Sequence, residues 1–268
     1  MLSIVIPAYN EQNRIERTLR ETCAYFHARP TSTEILVVSD GSRDNTSAVV
    51  QTFIQTGEQS PSPVRVRLLS YDANRGKGYA VRFGVLRAEG DRVLFMDADL
   101  ATPIAEIEKL EAALHPSSGV EIAIGSRPLR DSQLLVRQPW YREWAGRGFN
   151  KAVQLAATPG IADTQCGFKL FTRRAVREIF SRCVLDGFSF DVEALFLARR
   201  LGFRVAEVPV RWAHQEGAAA FPNARAYLRH GLKMVGDLVR IRRVHRTVRP
   251  DSLRVIAAAS NSLGPPSA

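Results

Sequence analysis

Over its first 125 residues the chain alternates short apolar runs with longer segments of helical period. Leu2–Ile6, closed by Pro7, then Glu34–Ser39, Val64–Leu69, Arg92–Met96 and Val120–Ile124 are rich in Val, Ile and Leu and too short to be helices. Between them lie four segments that read as helices: Glu11–Ala28, a stretch capped by Asp44 or Asn45 that reaches Gln55, Arg75–Glu89, and Thr102–Leu114 with its Thr-Pro start. Parallel strands need crossovers of helix length. The rhythm therefore predicts an α/β fold with a Rossmann-like, mostly parallel sheet flanked by helices. The second half is less regular. Arg137–Ala157 reads as a helix, Asp163–Phe171 as a polar loop entering a strand, Arg173–Phe180 and Val192–Leu201 as helices, Arg204–Val208 as a strand, and Ala224–Arg243 as a long amphipathic helix.

Ligands of such sheets sit outside the carboxyl ends of the strands. The polar motifs fall at those ends: Pro7–Glu11, Asp40–Ser42, Asp97–Asp99 and Gly125–Arg127. Asp97-Ala98-Asp99 leaves its strand directly, and two carboxylates there suit Mg2+ or Mn2+ beside a diphosphate. Taken alone the triplet is better explained by a turn with a helix cap; following a strand and joined by the other motifs, it favours the metal. Asn74-Arg75-Gly76-Lys77-Gly78 precedes a helix and sets two cations near its N-terminus, where phosphate is favoured. It has neither of the glycine spacings of ATPase and dinucleotide loops.

These motifs, in this order, resemble glycosyltransferase family 2. The residues that carry the likeness are Ile6–Glu11, Ser39–Asp44, Asn74–Gly78 and Asp97–Asp99. Asp97–Thr102, Gly125–Arg127, Asp163–Lys169 and Phe190–Glu193 narrow it to the branch of dolichyl-phosphate β-glucosyltransferases and their bacterial relatives. The likeness implies a GT-A fold, a nucleotide-sugar donor, UDP-glucose favoured, and inverting transfer to a polyprenyl phosphate. It implies that Pro7, Ala8, Tyr9 and Glu11 line the base and ribose, that Asp40 bonds the uracil, and that Arg75 and Lys77 lie toward the nucleotide. Asp97, Ala98 and Asp99 would serve ribose, diphosphate and metal, with Asp99 the better ligand. The catalytic set would be Asp97, Asp99, Asp191 and Arg127, with Arg127, Asp163, Gln165, Asp191 and Glu193 toward sugar or acceptor. Two departures stand out: Ala101 replaces a Gln found in mannosyl-transferring kin, and Ser39 replaces an Asp. The expected organisation is a catalytic domain over 1–215, its nucleotide-binding half 1–127 and acceptor-side half 128–215, then a basic helical extension over 216–246 and a flexible tail over 247–268.

The acceptor decides whether a base is needed. A sugar hydroxyl must lose a proton, whereas a phosphate monoester is mostly dianionic at neutral pH. Asp191 could be that base for a hydroxyl acceptor, or, with Glu193, an N-terminal helix charge pair. The chain has 37 basic and 27 acidic residues, net +10. Such an excess suits phosphorylated ligands, an anionic membrane surface or nucleic acid. A basic nucleic-acid-binding module is the non-enzyme rival, but it leaves the carboxylates at the strand ends unexplained. Residues 225–254 hold nine Lys/Arg and two Asp, seven of the net charge. On a helical wheel Arg225, Arg229, Lys233, Arg240 and Arg243 lie beside an apolar stripe of Leu228, Leu232, Val235 and Val239, as on a helix lying on lipid. Arg127, Arg130, Arg137, Arg142, Arg147 and Lys151, with Trp140, Tyr141, Trp144 and Phe149 between them, fit the same surface. The opening residues lack a signal peptide's pattern and no stretch approaches a membrane span, so a peripheral, cytoplasmic location is expected. The five histidines read as surface or loop residues and the three cysteines as structural.

Overall fold

The computed structural model describes residues 1–56, 63–136, 158–213 and 224–248. Its strands are β1 (Leu2–Ala8), β2 (Thr33–Asp40), β3 (Val64–Tyr71), β4 (Arg92–Met96), β5 (Ile122–Ser126), β6 (Gln133–Val136), β7 (Phe168–Thr172), β8 (Val205–Pro209) and β9 (Arg211–Ala213). Seven of them form one sheet in the order β3-β2-β1-β4-β7-β5-β8, and β6 pairs with β9. The helices are α1 (Ile15–His27), α2 (Thr46–Gln55), α3 (Lys77–Val85), α4 (Ile107–Ala113), α5 (Arg173–Phe180), α6 (Phe190–Arg200) and α7 (Ala224–Val244).

The central strands are buried on both faces, which is why β1 and β2 read as continuous apolar runs. Successive side chains point to opposite layers. Leu2, Ile4 and Ile6 pack with Ile15, Leu19, Val50, Ile107 and Leu110 on one side. Val5, Leu36 and Val38 pack with Ala80, Val81, Ile179 and Leu195 on the other. All pairings in the large sheet are parallel except those of β7, which runs antiparallel to both β4 and β5. Met96 lies opposite Phe168, so β7 starts where β4 ends. The loop before β7 therefore reaches the same sheet edge as the carboxyl ends of its neighbours.

Several boundaries differ from the periodicity. Helix α3 starts at Lys77 because Gly76 has φ +102°, outside helical space. Helix α1 starts at Ile15, after a turn in which Glu11 O accepts from Arg14 N and Ile15 N. The segment after Pro103 opens with a 3-10 turn, Ile104–Glu106, before α4. Strand β5 begins at Ile122, two residues later than expected. The expected helix over 137–157, with its cations and aromatics, lies outside the described residues.

The C-terminal helix docks by a stripe other than the one the wheel singled out. Met234, Leu238, Ile241 and His245 are buried, with Leu238 and Ile241 against Leu185, Val192 and Phe196. Val235 and Val239, from the expected apolar face, are 53% and 64% exposed. The expectation of a surface His245 is thus corrected: it is 3% exposed. No helix among the described residues is long and apolar enough to cross a membrane.

Candidate active site

Asp97 and Asp99 leave β4 at the centre of the sheet edge. Thr18 of α1 donates its hydroxyl to Ala98 O at 2.6 Å, pinning the residue between them. Asp99 Oδ1 accepts from Ala101 N at 3.0 Å, closing a tight turn in which Leu100 adopts φ +53°. Asp97 N donates to Gly167 O at 3.0 Å. A β-carbon on Gly167 would lie 1.9 Å from Asp97 Oδ2, so any other residue here displaces the Asp97 carboxylate. Lys77 Nζ sits 2.6 Å from Asp97 Oδ1. Glu11 pairs with Arg14 at 2.8 Å. Burial, reinforced by the Asp97 charge, raises the Asp99 pKa. Burial also raises that of Glu11, with Asp99 and Asp97 adding to it. These oxygens thus form a negative cluster that its own cations do not fully compensate, the environment a hard divalent ion relieves.

The base end is built around Asp40, which is 3% exposed. Its Oδ1 accepts from Tyr71 OH at 2.8 Å and Arg75 N at 2.7 Å; its Oδ2 accepts from Gly76 N at 2.9 Å and Asn74 Nδ2 at 3.0 Å. Four bonds fill a carboxylate. In this arrangement the Asp40 side chain shapes the Asn74–Gly76 turn. Tyr9 is 44% exposed at the end of β1, while Ala8 is buried and Pro7 half-buried. The Arg75 guanidinium stacks 3.6 Å from the centre of the Tyr79 ring.

On the other side of the pair, Arg127 clamps Asp163 through Nε (2.6 Å), Nη2 (2.9 Å) and its own backbone N–H (3.1 Å). Burial alone would raise the Asp163 pKa, but Arg127 outweighs it and holds the carboxyl low. Arg127 also lies 5.3 Å from the centre of the Trp212 ring. Gln165 Nε2 is buried and has no hydrogen-bond partner among the described residues. Asp191 is 4% exposed and pairs with Lys169 Nζ at 2.6 Å. Burial raises its pKa in spite of Lys169 and Lys77. Glu193 is fully buried and accepts from Val184 N, Leu185 N and His245 Nε2. Glu193 thus has both oxygens engaged, whereas Asp191 is bonded to Lys169 through Oδ1. Asp97, Ala101, Thr102, Gly167, Phe168 and Trp212 line one cleft, so the strand-end pair and the acceptor-side loop share a wall.

Lys169, Arg14 and Trp212 carried no expected role. Lys169 had a signal, a single cation in the apolar strand Phe168–Thr172, where a buried charge demands a partner. The cysteines are buried and free, as expected, and burial pushes the Cys166 thiol up to about 12.

A Rossmann-like sheet whose central strand ends in a carboxylate pair, with a lysine from the preceding strand-to-helix turn on Asp97, is the arrangement expected of a GT-A glycosyltransferase. The family model described as "Glycosyl transferase family 2" matches residues 3–180, and the chain belongs to that family. Among similar proteins, the dolichyl-phosphate beta-glucosyltransferase of Dictyostelium discoideum is 38% identical, covering 90% of this chain and 73% of its own length. Those of Drosophila melanogaster and Homo sapiens are 39% and 36% identical over 82% of this chain and 69% and 70% of theirs. The rival reading as a nucleic-acid-binding module draws no support from these relatives. Among solved structures, glucosyl-3-phosphoglycerate synthase of Mycobacterium tuberculosis, in complex with Mn2+, UDP-glucose and phosphoglyceric acid, superposes with a TM-score of 0.64 at 18% identity, covering 90% and 79% of the two chains. Mannosyl-3-phosphoglycerate synthase of Rubrobacter xylanophilus gives 0.66 at 19% identity, covering 91% and 74%. At these identities the likeness establishes the fold.

Proposed function

We propose that this chain transfers glucose from UDP-glucose to the phosphate of a polyprenyl phosphate of the dolichyl type, with inversion at the anomeric carbon. The observation that carries the choice of acceptor is the 36–39% identity to dolichyl-phosphate beta-glucosyltransferases, and the ion pairing of the carboxylates on that side agrees with it. Asp163 is clamped by Arg127, Asp191 by Lys169, and Glu193 by two backbone amides and His245. A hydroxyl acceptor needs a free base there; a phosphate dianion does not. The relatives at 36–39% identity support the same acceptor and sugar.

Asp97 and Asp99 would hold a divalent cation, with diphosphate oxygens completing its shell. When bound, that ion supplies positive charge to the departing nucleoside diphosphate. Lys77, already on Asp97, adds a second cation at the same point. Tyr9 offers its exposed ring to the base, with Pro7 and Ala8 beneath it, and Asp40 sets the turn that presents Arg75 and Lys77. Arg127 and Trp212 face the sugar and incoming phosphate, and Gln165 has a spare N–H for a sugar hydroxyl. Helix α7 brings the site to lipid: exposed Val235 and Val239 lie beside exposed Lys233, Arg240 and Arg243.

The test is a panel of nucleotide sugars with short-chain polyprenyl phosphate and Mn2+ or Mg2+. A glucosyl lipid from UDP-glucose, lost with Asp99→Ala, is the expected result. UDP release without glycolipid product rejects the acceptor.

A further inference from the structure

The loop of residues 181–189, between α5 and α6, touches two parts of the molecule that are far apart in sequence. On one side it lies against the donor turn. Asp186 O accepts from Tyr79 N at 3.2 Å, and Arg82 reaches Asp186 Oδ1 at 2.6 Å and Cys183 O at 3.2 Å. A β-carbon on Gly76 would fall 2.5 Å from Asp186 O, and one on Gly78 2.6 Å from Leu185 O. The turn that carries Lys77 is thus seated directly on this loop's backbone. On the other side the loop is gripped by Glu193, which accepts from Val184 N at 3.0 Å and Leu185 N at 2.8 Å. The same carboxylate meets His245 Nε2 at 2.7 Å. Both side chains are buried, 0% and 4% exposed. A second tie joins Ser189 Oγ to Asp237 Oδ2 at 2.6 Å.

His245, one residue past the end of α7, continues the helix's buried stripe, whose described members Met234, Leu238 and Ile241 are apolar. Packing alone would be served by a leucine there. A buried carboxylate with two backbone donors still has acceptor capacity to fill, and an imidazole N–H fills it.

We infer that His245 is a positioning residue for the donor site: it fixes Glu193, Glu193 fixes the backbone of Val184 and Leu185, and that backbone seats the Gly76–Gly78 turn from which Lys77 reaches Asp97. This rests on the reading of Lys77 and Asp97 as the nucleotide end. Helix α7 then serves the reaction on two faces, with its exposed stripe outward and its latch inward.

Hydrogen exchange on the full chain tests the latch directly. With His245→Leu, amides of Val184, Leu185 and Tyr79 exchange about tenfold faster, the factor carried by one buried hydrogen bond to a charged group. His245→Gln, whose amide N–H reproduces the bond, returns them toward wild type. Calorimetry with UDP and Mn2+ shows binding weakened several-fold in His245→Leu and restored in His245→Gln. Unchanged exchange at Tyr79 in His245→Leu, or equal behaviour of the two variants, overturns the inference. Should His245→Leu fail to fold, Ser189→Ala cuts the second tie and is read at the same amides, where no change overturns it. A wild-type protein that fails to bind UDP would sink the glucosyl-transfer reading, yet the exchange data would still decide the latch.

Discussion

A methyl group on Gly167 would take the space that the Asp97 carboxylate occupies. Gly167→Ala should push Asp97 off its position and lower kcat/KM about a hundredfold, the order expected for an ångström of misplacement. Thermal unfolding of the same variant should move far less. Asp191→Asn separates two roles. A base would be lost with stability intact. A partner of buried Lys169 takes stability with it, by about 3 kcal/mol, since its removal leaves an uncompensated ammonium. Denaturant titration beside turnover reads the difference, and the paired geometry predicts the second result. Residues of this kind divide by how local their signal is. Asp97 and Asp99 are legible because their spacing after a strand is contiguous in sequence. The Lys169–Asp191 and Glu193–His245 pairs span 22 and 52 residues, and nothing in the intervening sequence announces them.

Strands β1, β2 and β4 were legible for a simple reason: they are buried on both faces, so their apolar runs are nearly unbroken, while β3 shows the alternation of a strand with one face outward, Arg65 exposed between buried Val64 and Val66. The direction of β7 was not. Phe168–Thr172 carries the same apolar signal either way round, and only its pairing with β4 and β5 sets it antiparallel. Helix α7 shows how a wheel can mislead when a helix has two apolar stripes. Val235 and Val239 of the richer stripe turned out to be exposed, while the docking stripe runs on to a histidine and was passed over. The exposed stripe makes its own prediction. Val235→Asp with Val239→Asp should abolish co-sedimentation with anionic vesicles while leaving turnover of a short-chain acceptor in detergent near wild type. Retained vesicle binding would remove α7 from the membrane contact.

At the scale of the molecule, the donor crevice stores charge repulsion. Burial and mutual repulsion raise the Asp99 and Glu11 pKa values above those of the unfolded chain. Ionising them in the folded state therefore costs stability, and the cost appears as pH climbs from the ordinary carboxylate range through the raised folded values. On the proposed reading, binding of UDP with Mn2+ would relieve it. The thermal shift given by that pair should therefore grow as pH rises from about 4 to 7 and shrink on acidification. A flat dependence would mean that the cluster does not hold the ion. Asp163 acts in the opposite sense: Arg127 lowers its pKa, so its contribution is present above the unfolded value and fades as pH falls through the lower, folded one. The reversed strand has a consequence for descent as well as for chemistry. Chain inserted or rewritten upstream of the Gly167–Asp97 contact would alter the mouth of the crevice and leave the strand-end carboxylates in place, so lineages could trade acceptors while inheriting one donor.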